Sequence, residues 1–98
     1  MDELLEPLAE PQVWSRNEGL AWQIMGTEAI LLDMDRNMLR GINRSGWLIW
    51  ELIDGKSSLG EISSQFASRY QLDAHRALSE VLAFVVLLRD RQLVRRAA

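Results

Sequence analysis

Hydrophobic spacing along the chain changes once, between Ile42 and Asn43. Before that point apolar residues alternate in short runs broken by turn residues; after it they recur at intervals of three and four. Side chains repeat every two residues along a strand and about every 3.6 along a helix, so the switch separates a strand region from a helix region. Parallel strands need crossovers of about a dozen residues or more, and the runs before Ile42 lie far closer than that. A 98-residue chain built this way is confined to the α+β class, with an antiparallel meander leading into helices.

The strand region divides at its turn residues. Val13-Trp14-Ser15-Arg16 reads as extended, followed by a turn at Asn17-Glu18-Gly19. Leu20 to Met25 forms a second run with Leu20, Trp22 and Ile24 on one face. Gly26-Thr27-Glu28 reverses the chain into Ala29 to Asp33, and a turn at 34–37, with Asn37 a candidate for positive φ, leads into Met38 to Ile42. Asn43 is a good N-cap for a first helix carrying Trp47, Leu48, Ile49, Trp50, Leu52 and Ile53, which Asp54-Gly55 ends. Ser58 and Glu61 have capping-box spacing ahead of a second helix with Leu59, Ile62, Phe66, Ala67 and Tyr70 on its apolar face. Asp73 caps a third helix through about Arg89, and residues 90–94 read as a turn and short strand. The expected organisation is a flexible acidic arm over 1–12, a domain over 13–94 and a tail over 95–98. For the arm, the alternative is a short helix docking Leu4, Leu5 and Leu8.

Little in the chain supports catalysis. It has no cysteine, which excludes a disulfide scaffold, a thiol nucleophile and a zinc finger. His75, Lys56 and Tyr70 are each the sole residue of their type, and His75 in the first turn of the third helix reads as a surface residue. Asp33 and Asp35 flank a turn, where Asp serves turn geometry. The glycines form neither a dinucleotide fingerprint nor a phosphate loop. We therefore expect no enzyme, no metal and no cofactor. A formal net charge of −3 is a poor footprint for nucleic-acid binding. No apolar run approaches the roughly 20 residues of a membrane span, and the acidic start Met1-Asp2-Glu3 is the reverse of a signal peptide. A soluble, cytoplasmic protein is expected.

The third helix holds the most informative stretch, Val81-Leu82-Ala83-Phe84-Val85-Val86-Leu87-Leu88. Eight consecutive apolar residues exceed two helical turns, whereas a surface helix needs one apolar stripe. Either the helix is sandwiched between sheet and helices, or one flank, drawn from Ala83, Phe84, Val86 and Leu87, forms a groove for a partner segment or a dimer contact. Trp47 and Trp50 share a helix face as core residues, while Trp14 and Trp22 are candidates to cover the outer sheet face or a partner.

Several segments together resemble the PqqD-like family, the pyrroloquinoline quinone biosynthesis chaperones and related recognition domains for ribosomally made, modified peptides. Ile42-Asn43-Arg44-Ser45-Gly46 followed by Ile49-Trp50-Glu51-Leu52-Ile53-Asp54-Gly55 is similar to the family's "LN-x-S-x…IW-x-L-x-DG" signature. Ser58-Leu59-Gly60-Glu61-Ile62 with Phe66 and Tyr70 is similar to its second helix, and Val81 to Leu88 with Leu93-Val94 to its closing segment. The likeness spans roughly residues 20–94. Ile42 stands for the usual Leu, and Asp90-Arg91-Gln92 replaces the usual Gly, which bears on the shape of the last turn.

The resemblance implies a three-stranded antiparallel sheet followed by a three-helix, winged helix-turn-helix-like unit. It also implies a non-catalytic adaptor that binds the leader segment of a precursor peptide by strand addition and presents it to a modifying enzyme. That enzyme would be a leader protease of lasso-peptide biosynthesis or a radical-SAM enzyme of quinone-cofactor type, with the adaptor a monomer or weak homodimer. The expected peptide edge is Met38, Leu39, Arg40, Gly41 and Ile42. Its far wall is the third helix, with Leu78, Val81, Leu82 and Val85 lining pockets and Arg76 and Arg89 attracting leader carboxylates near the ends. Two alternatives stand beside this one: a winged-helix DNA-binding protein, which the net charge and the sparse basic residues of both long helices disfavour, and a structural subunit of a larger complex.

Overall fold

In a computed structural model describing residues 7–17, 20–33 and 37–97, secondary structure changes type where the hydrophobic period does. The elements are β1 (Trp14–Arg16), β2 (Leu20–Met25), β3 (Glu28–Asp33), β4 (Met38–Ile42), α1 (Arg44–Leu52), α2 (Leu59–Tyr70), α3 (Ala74–Asp90) and β5 (Val94–Arg96). The expected three-stranded antiparallel sheet is present in the order β2-β3-β4, followed by three helices. β5 runs through Arg96, two residues into the stretch expected as tail. Residues 1–6, which hold Leu4 and Leu5 of the arm, lie outside the described residues, as do 18–19, 34–36 and 98.

Turn chemistry sets the sheet register. Gly26 sits at φ 65 in the first central position of a two-residue loop, as a type II′ hairpin requires. Asn37 adopts φ 53 just before β4, the left-handed conformation anticipated for it. The pairs Trp22–Leu31–Arg40 and Ile24–Ala29–Ile42 cross the sheet on the helix side. Ala29, Leu31 and Ile42 are buried there.

Each helix begins with a satisfied N-terminus. The Gly46 N–H donates to Asn43 Oδ1 at 2.9 Å and the Arg76 N–H to Asp73 Oδ1 at 2.8 Å. α2 has the capping box, with the Glu61 N–H donating to Ser58 Oγ and the Ser58 N–H to Glu61 Oε1. Its two remaining early donors reach the segment before β1: Leu59 N–H bonds to Gln12 O at 2.9 Å and Gly60 N–H to Glu10 O at 3.0 Å. Four N–H groups at a helix start have no partner within the helix, so this segment supplies acceptors that α2 cannot. Leu8 is half-buried against the core beside it.

β1 and β5 form a separate antiparallel ribbon, with Trp14 opposite Arg96 and Arg16 opposite Val94. Trp14 is buried, so it covers neither the outer sheet face nor a partner. The reason is the ribbon: pairing with β5 turns its ring into the core, where Nε1 donates to Gln12 Oε1 at 3.2 Å. Gln92 takes φ 59 at the last turn, so a glutamine accepts the left-handed conformation that glycine adopts more readily. The Asn17 N–H donates to Leu93 O and the Asn17 side chain to Gln92 O, holding this turn from β1.

Trp50 is completely buried at the centre, and the Trp22 ring meets it edge-on at 5.9 Å between centroids. Replacing Trp50 by Ala removes about 3–5 kcal/mol, a large share of a small domain's stability, which thermal or urea melts will register. A second expectation concerns Asp54. The backbone N–H groups of Ser57 and Lys56, each 2.8 Å from Oδ1, hold its carboxyl below the ordinary carboxylate range. A pKa lowered by folding stabilises above the unfolded value and is lost as pH falls through the folded one. Asp54→Ala should therefore lower stability at neutral pH, and the difference from the parent should shrink in urea melts at strongly acidic pH.

Candidate functional site

β4 ends the sheet: it pairs with β3 on one side, and no described strand pairs with the other. The hairpin fixes which of its groups point outward. A two-residue loop makes Met25–Glu28 a hydrogen-bonded pair, and bonded and non-bonded pairs then alternate along an antiparallel ladder. On that alternation Ala29, Leu31 and Asp33 bond to Ile42, Arg40 and Met38, leaving the N–H and C=O of Leu39 and Gly41 directed at the open edge. Leu39 is 70% exposed, and a Cβ at Gly41 would meet nothing within 4 Å. Arg40 is half-buried and Ile42 buried on the helix side; the Met38 side chain lies outside the described residues.

Beside this edge runs a groove of about 440 Å³ whose walls are Gly41, Ile42, Asn43, Ser45, Gly46 and Ile49 on one side and Glu80, Ala83, Phe84 and Leu87 of α3 on the other, with Phe66 also contributing. Its depth depends on Gly46. A Cβ there would lie 2.7 Å from Ile42 Cγ2 and 3.0 Å from the Phe84 ring, so only glycine lets α1 and the Phe84 ring approach this closely. Leu87, 42% exposed, extends the apolar wall toward solvent.

This geometry corrects part of the expected wall. Val81 and Val85 are fully buried and, with Ala77 and Leu88, form the stripe that α3 presents to the core. They do not line this groove, because a helix cannot turn one residue both into the core and outward. Leu78 and Leu82 are half-buried and do not line the groove either. The residues that do, at 80, 83, 84 and 87, lie on the flank three residues away from that stripe. An unbroken apolar run carries no period, so the two faces could not be told apart by hydrophobicity. The usable signal was Ala77: a small residue four before Val81 extends the core stripe, and Glu80 marks the other flank.

The expected cations also divide. Arg89 is buried, with Nη2 3.4 Å from Asp90 Oδ1, so it is held within the fold and is no surface attractor for carboxylates. Arg76 is exposed and pairs with Glu80 across one helical turn at 3.7 Å. Among the described residues, the charged side chain on the groove wall is thus Glu80, partly balanced by Arg76. His75 is exposed, and among the described residues no three of His, Cys, Asp or Glu gather as a metal site. Nor is any described helix long and apolar enough to cross a membrane. What the arrangement offers chemically is main-chain donors and acceptors above an apolar trough. Gly46→Ala, favourable by helix propensity alone, should cost about 1–3 kcal/mol by overpacking. A urea midpoint lowered together with altered Phe84 ring resonances will check this.

Comparison with known proteins bears on fold and family. Residues 28–94 match the family described as coenzyme PQQ synthesis protein D. No curated relative matches the chain. Among solved structures, TbiB1 in complex with the TbiA(beta) leader peptide superposes with a TM-score of 0.75 at 18% identity, over 83% of this chain and 94% of that one. The PqqD truncation of Methylobacterium extorquens PqqCD, described as a functional, stand-alone recognition element for ribosomally synthesized and post-translationally modified peptides, superposes with a TM-score of 0.76. Identity there is 14%, over 91% of this chain and 95% of that one.

Proposed function

The chain belongs to the PqqD family, and from that premise we propose that it is a non-catalytic adaptor. In this reading it holds the leader segment of a ribosomally made precursor peptide and presents it to a modifying enzyme in the cytoplasm. The observation that carries the reading is the open edge of β4 above the trough of Phe84, Ile42 and Leu87. An extended peptide that adds to such an edge gains affinity from main-chain hydrogen bonds and specificity from pockets taking alternate side chains. The structural likeness to a leader-bound protein supports the same assignment.

The peptide-binding residues in this proposal are Met38 to Ile42 on the strand and Glu80, Ala83, Phe84 and Leu87 on the helix, within a recognition unit over 13–94. The peptide lies antiparallel to β4, with one set of side chains entering the trough and the other crossing Leu39. An apolar or aromatic leader side chain suits the trough. A groove with a single, partly balanced charge makes binding only mildly salt-dependent. The partner enzyme is a leader protease of lasso-peptide type or a radical-SAM enzyme, and the protein alone leaves the precursor unmodified.

Titration of ¹⁵N-labelled protein with a synthetic leader peptide, from the precursor encoded beside this gene, tests the reading. Shifts should concentrate in residues 38–42 and 80–87; a saturated complex leaving both untouched would refute the site. Gly41→Pro removes an outward-facing donor without touching the β3 ladder, since Pro is tolerated where an edge N–H faces solvent. It should weaken binding about tenfold, equivalent to one lost hydrogen bond of about 1.4 kcal/mol. Arg40→Ala should weaken it less, because the Arg40 N–H points to β3.

A further inference from the structure

The two flanks of α1 face different cavities. Ser45, Gly46 and Ile49 line the groove beside β4, whereas Arg44, Trp47, Leu48 and Glu51 line a second cleft of about 350 Å³. The tip of the β2–β3 hairpin, with Ile24 and Glu28, and the end of α2, with Arg69 and Tyr70, complete this cleft. Trp47 and Leu48 are half-buried, while Ile24 is 59% and Tyr70 37% exposed. Arg44, Glu51, Arg69 and Glu28 are all exposed, and among the described residues none of these four forms an ion pair.

α1 carries its charges in the order that weakens it. A helix is partially positive at its N-terminus and partially negative at its C-terminus, so acids stabilise the first turn and bases the last. The other helices obey this, with Glu61 in the first turn of α2 and Arg69 and Arg89 in the last turns of α2 and α3. α1 has no acid in its first turn and no base in its last; it opens on Arg44 and has Glu51 one residue from its end. Both side chains line the cleft. A local rule broken with no compensation inside the fold marks a surface whose compensation comes from a partner.

We propose that this cleft docks the modifying enzyme through an amphipathic helix of that enzyme laid along α1. The choice of the enzyme rests on the adaptor reading; charge complementarity sets the form of its contact. Arg44 and Glu51 lie seven residues apart, about 10 Å along α1, and a second helix covers that rise in two turns with its own acid and base on one face. A strand covers it in about three residues, which turns the two charges to opposite faces. The matching helix thus has an acid opposite Arg44, apolar residues on Trp47 and Leu48, and a base opposite Glu51. A partner of one sign would gain at one end and lose at the other. Because cleft and groove lie on opposite flanks of α1, leader and enzyme are held at the same time.

Isothermal titration of the full chain with the modifying enzyme encoded beside this gene tests it, alongside an anisotropy titration of labelled leader peptide on the same samples. The double variant Arg44→Glu with Glu51→Arg should bind the enzyme at least about tenfold more weakly than the parent, since both contacts become repulsive. The exchange keeps the net charge at −3 and gives α1 the order its dipole favours. Its melting temperature should therefore equal or exceed the parent's, and its leader affinity should be unchanged. Should the exchanged chain fail to fold, Ile24→Ser at the exposed hairpin decides, with a several-fold loss of enzyme binding expected. A parent that does not bind the enzyme, or a folded double variant that binds it as tightly as the parent, overturns the docking cleft; leader binding in that sample leaves the peptide reading standing. Absent leader binding, with enzyme binding weakened by the exchange, refutes the peptide reading and upholds the cleft. Self-association of the parent that the exchange abolishes, with no enzyme bound, would give the cleft to a second copy and overturn the proposal.

Discussion

The contact on which the structure turns is the one between Trp50 and Trp22. Trp50 stands on α1, the first element after the change of period, and Trp22 stands on β2, at the far side of the sheet from β4. Their rings meet edge-on, Trp47 adds a tilted ring 6.2 Å from Trp22, and the Arg16 guanidinium lies 4.9 Å from the Trp22 centroid. Edge-to-face rings add attraction to their burial, and a guanidinium over an indole adds more. Through this cluster the sheet, the β1–β5 ribbon and α1 are fixed relative to one another. The same helix α1 carries Gly46 and Ile49 of the groove wall, so what seats α1 on the sheet also places that wall.

Much of the fold could be read from local chemistry because local chemistry determines it. Asn43, Ser58 with Glu61, and Asp73 stand where helix donors need acceptors, and each makes the bond its side chain suggested. Gly26 and Asn37 mark left-handed backbone at two hairpins for reasons confined to a few atoms. The ribbon was a different matter. Trp14 pairs with Arg96 across the length of the chain, and no short-range rule links them. Local spacing therefore makes Trp14 a candidate to cover the outer sheet face or a partner, although it is one of the most deeply buried residues.

The site shows the same division at finer scale. The edge strand was legible, since a meander ending at Ile42 must leave one side of its last strand open. The face of α3 was not, because eight apolar residues in succession look alike from every direction. Val81 and Val85 are β-branched and lie in line with Ala77, on the buried stripe of a helix that packs mainly against α2 and also meets α1 and β5. Ala83 and Phe84, equally apolar, fall on the flank that faces the end of β4 and α1 across the groove. Arg89 departs from expectation in a related way: a basic residue in the last turn of a helix is normally solvated, yet this one is folded inward beside Asp90.

The β1–β5 ribbon has a mechanical consequence. Val13 and Ala97 are joined by a hydrogen bond, with the Ala97 N–H donating to Val13 O at 2.8 Å. Force applied outward at these two residues loads the ribbon as a zipper: its bonds break one after another and never share the load. A strand pulled along its own axis would instead strain all of its bonds together. Once the ribbon parts, Trp14 leaves the core and the loop at Gly55 loses its acceptor on the Trp14 carbonyl. Pulled apart at Val13 and Ala97, the fold opens at the ribbon, whose strands share no ladder with the β2-β3-β4 sheet.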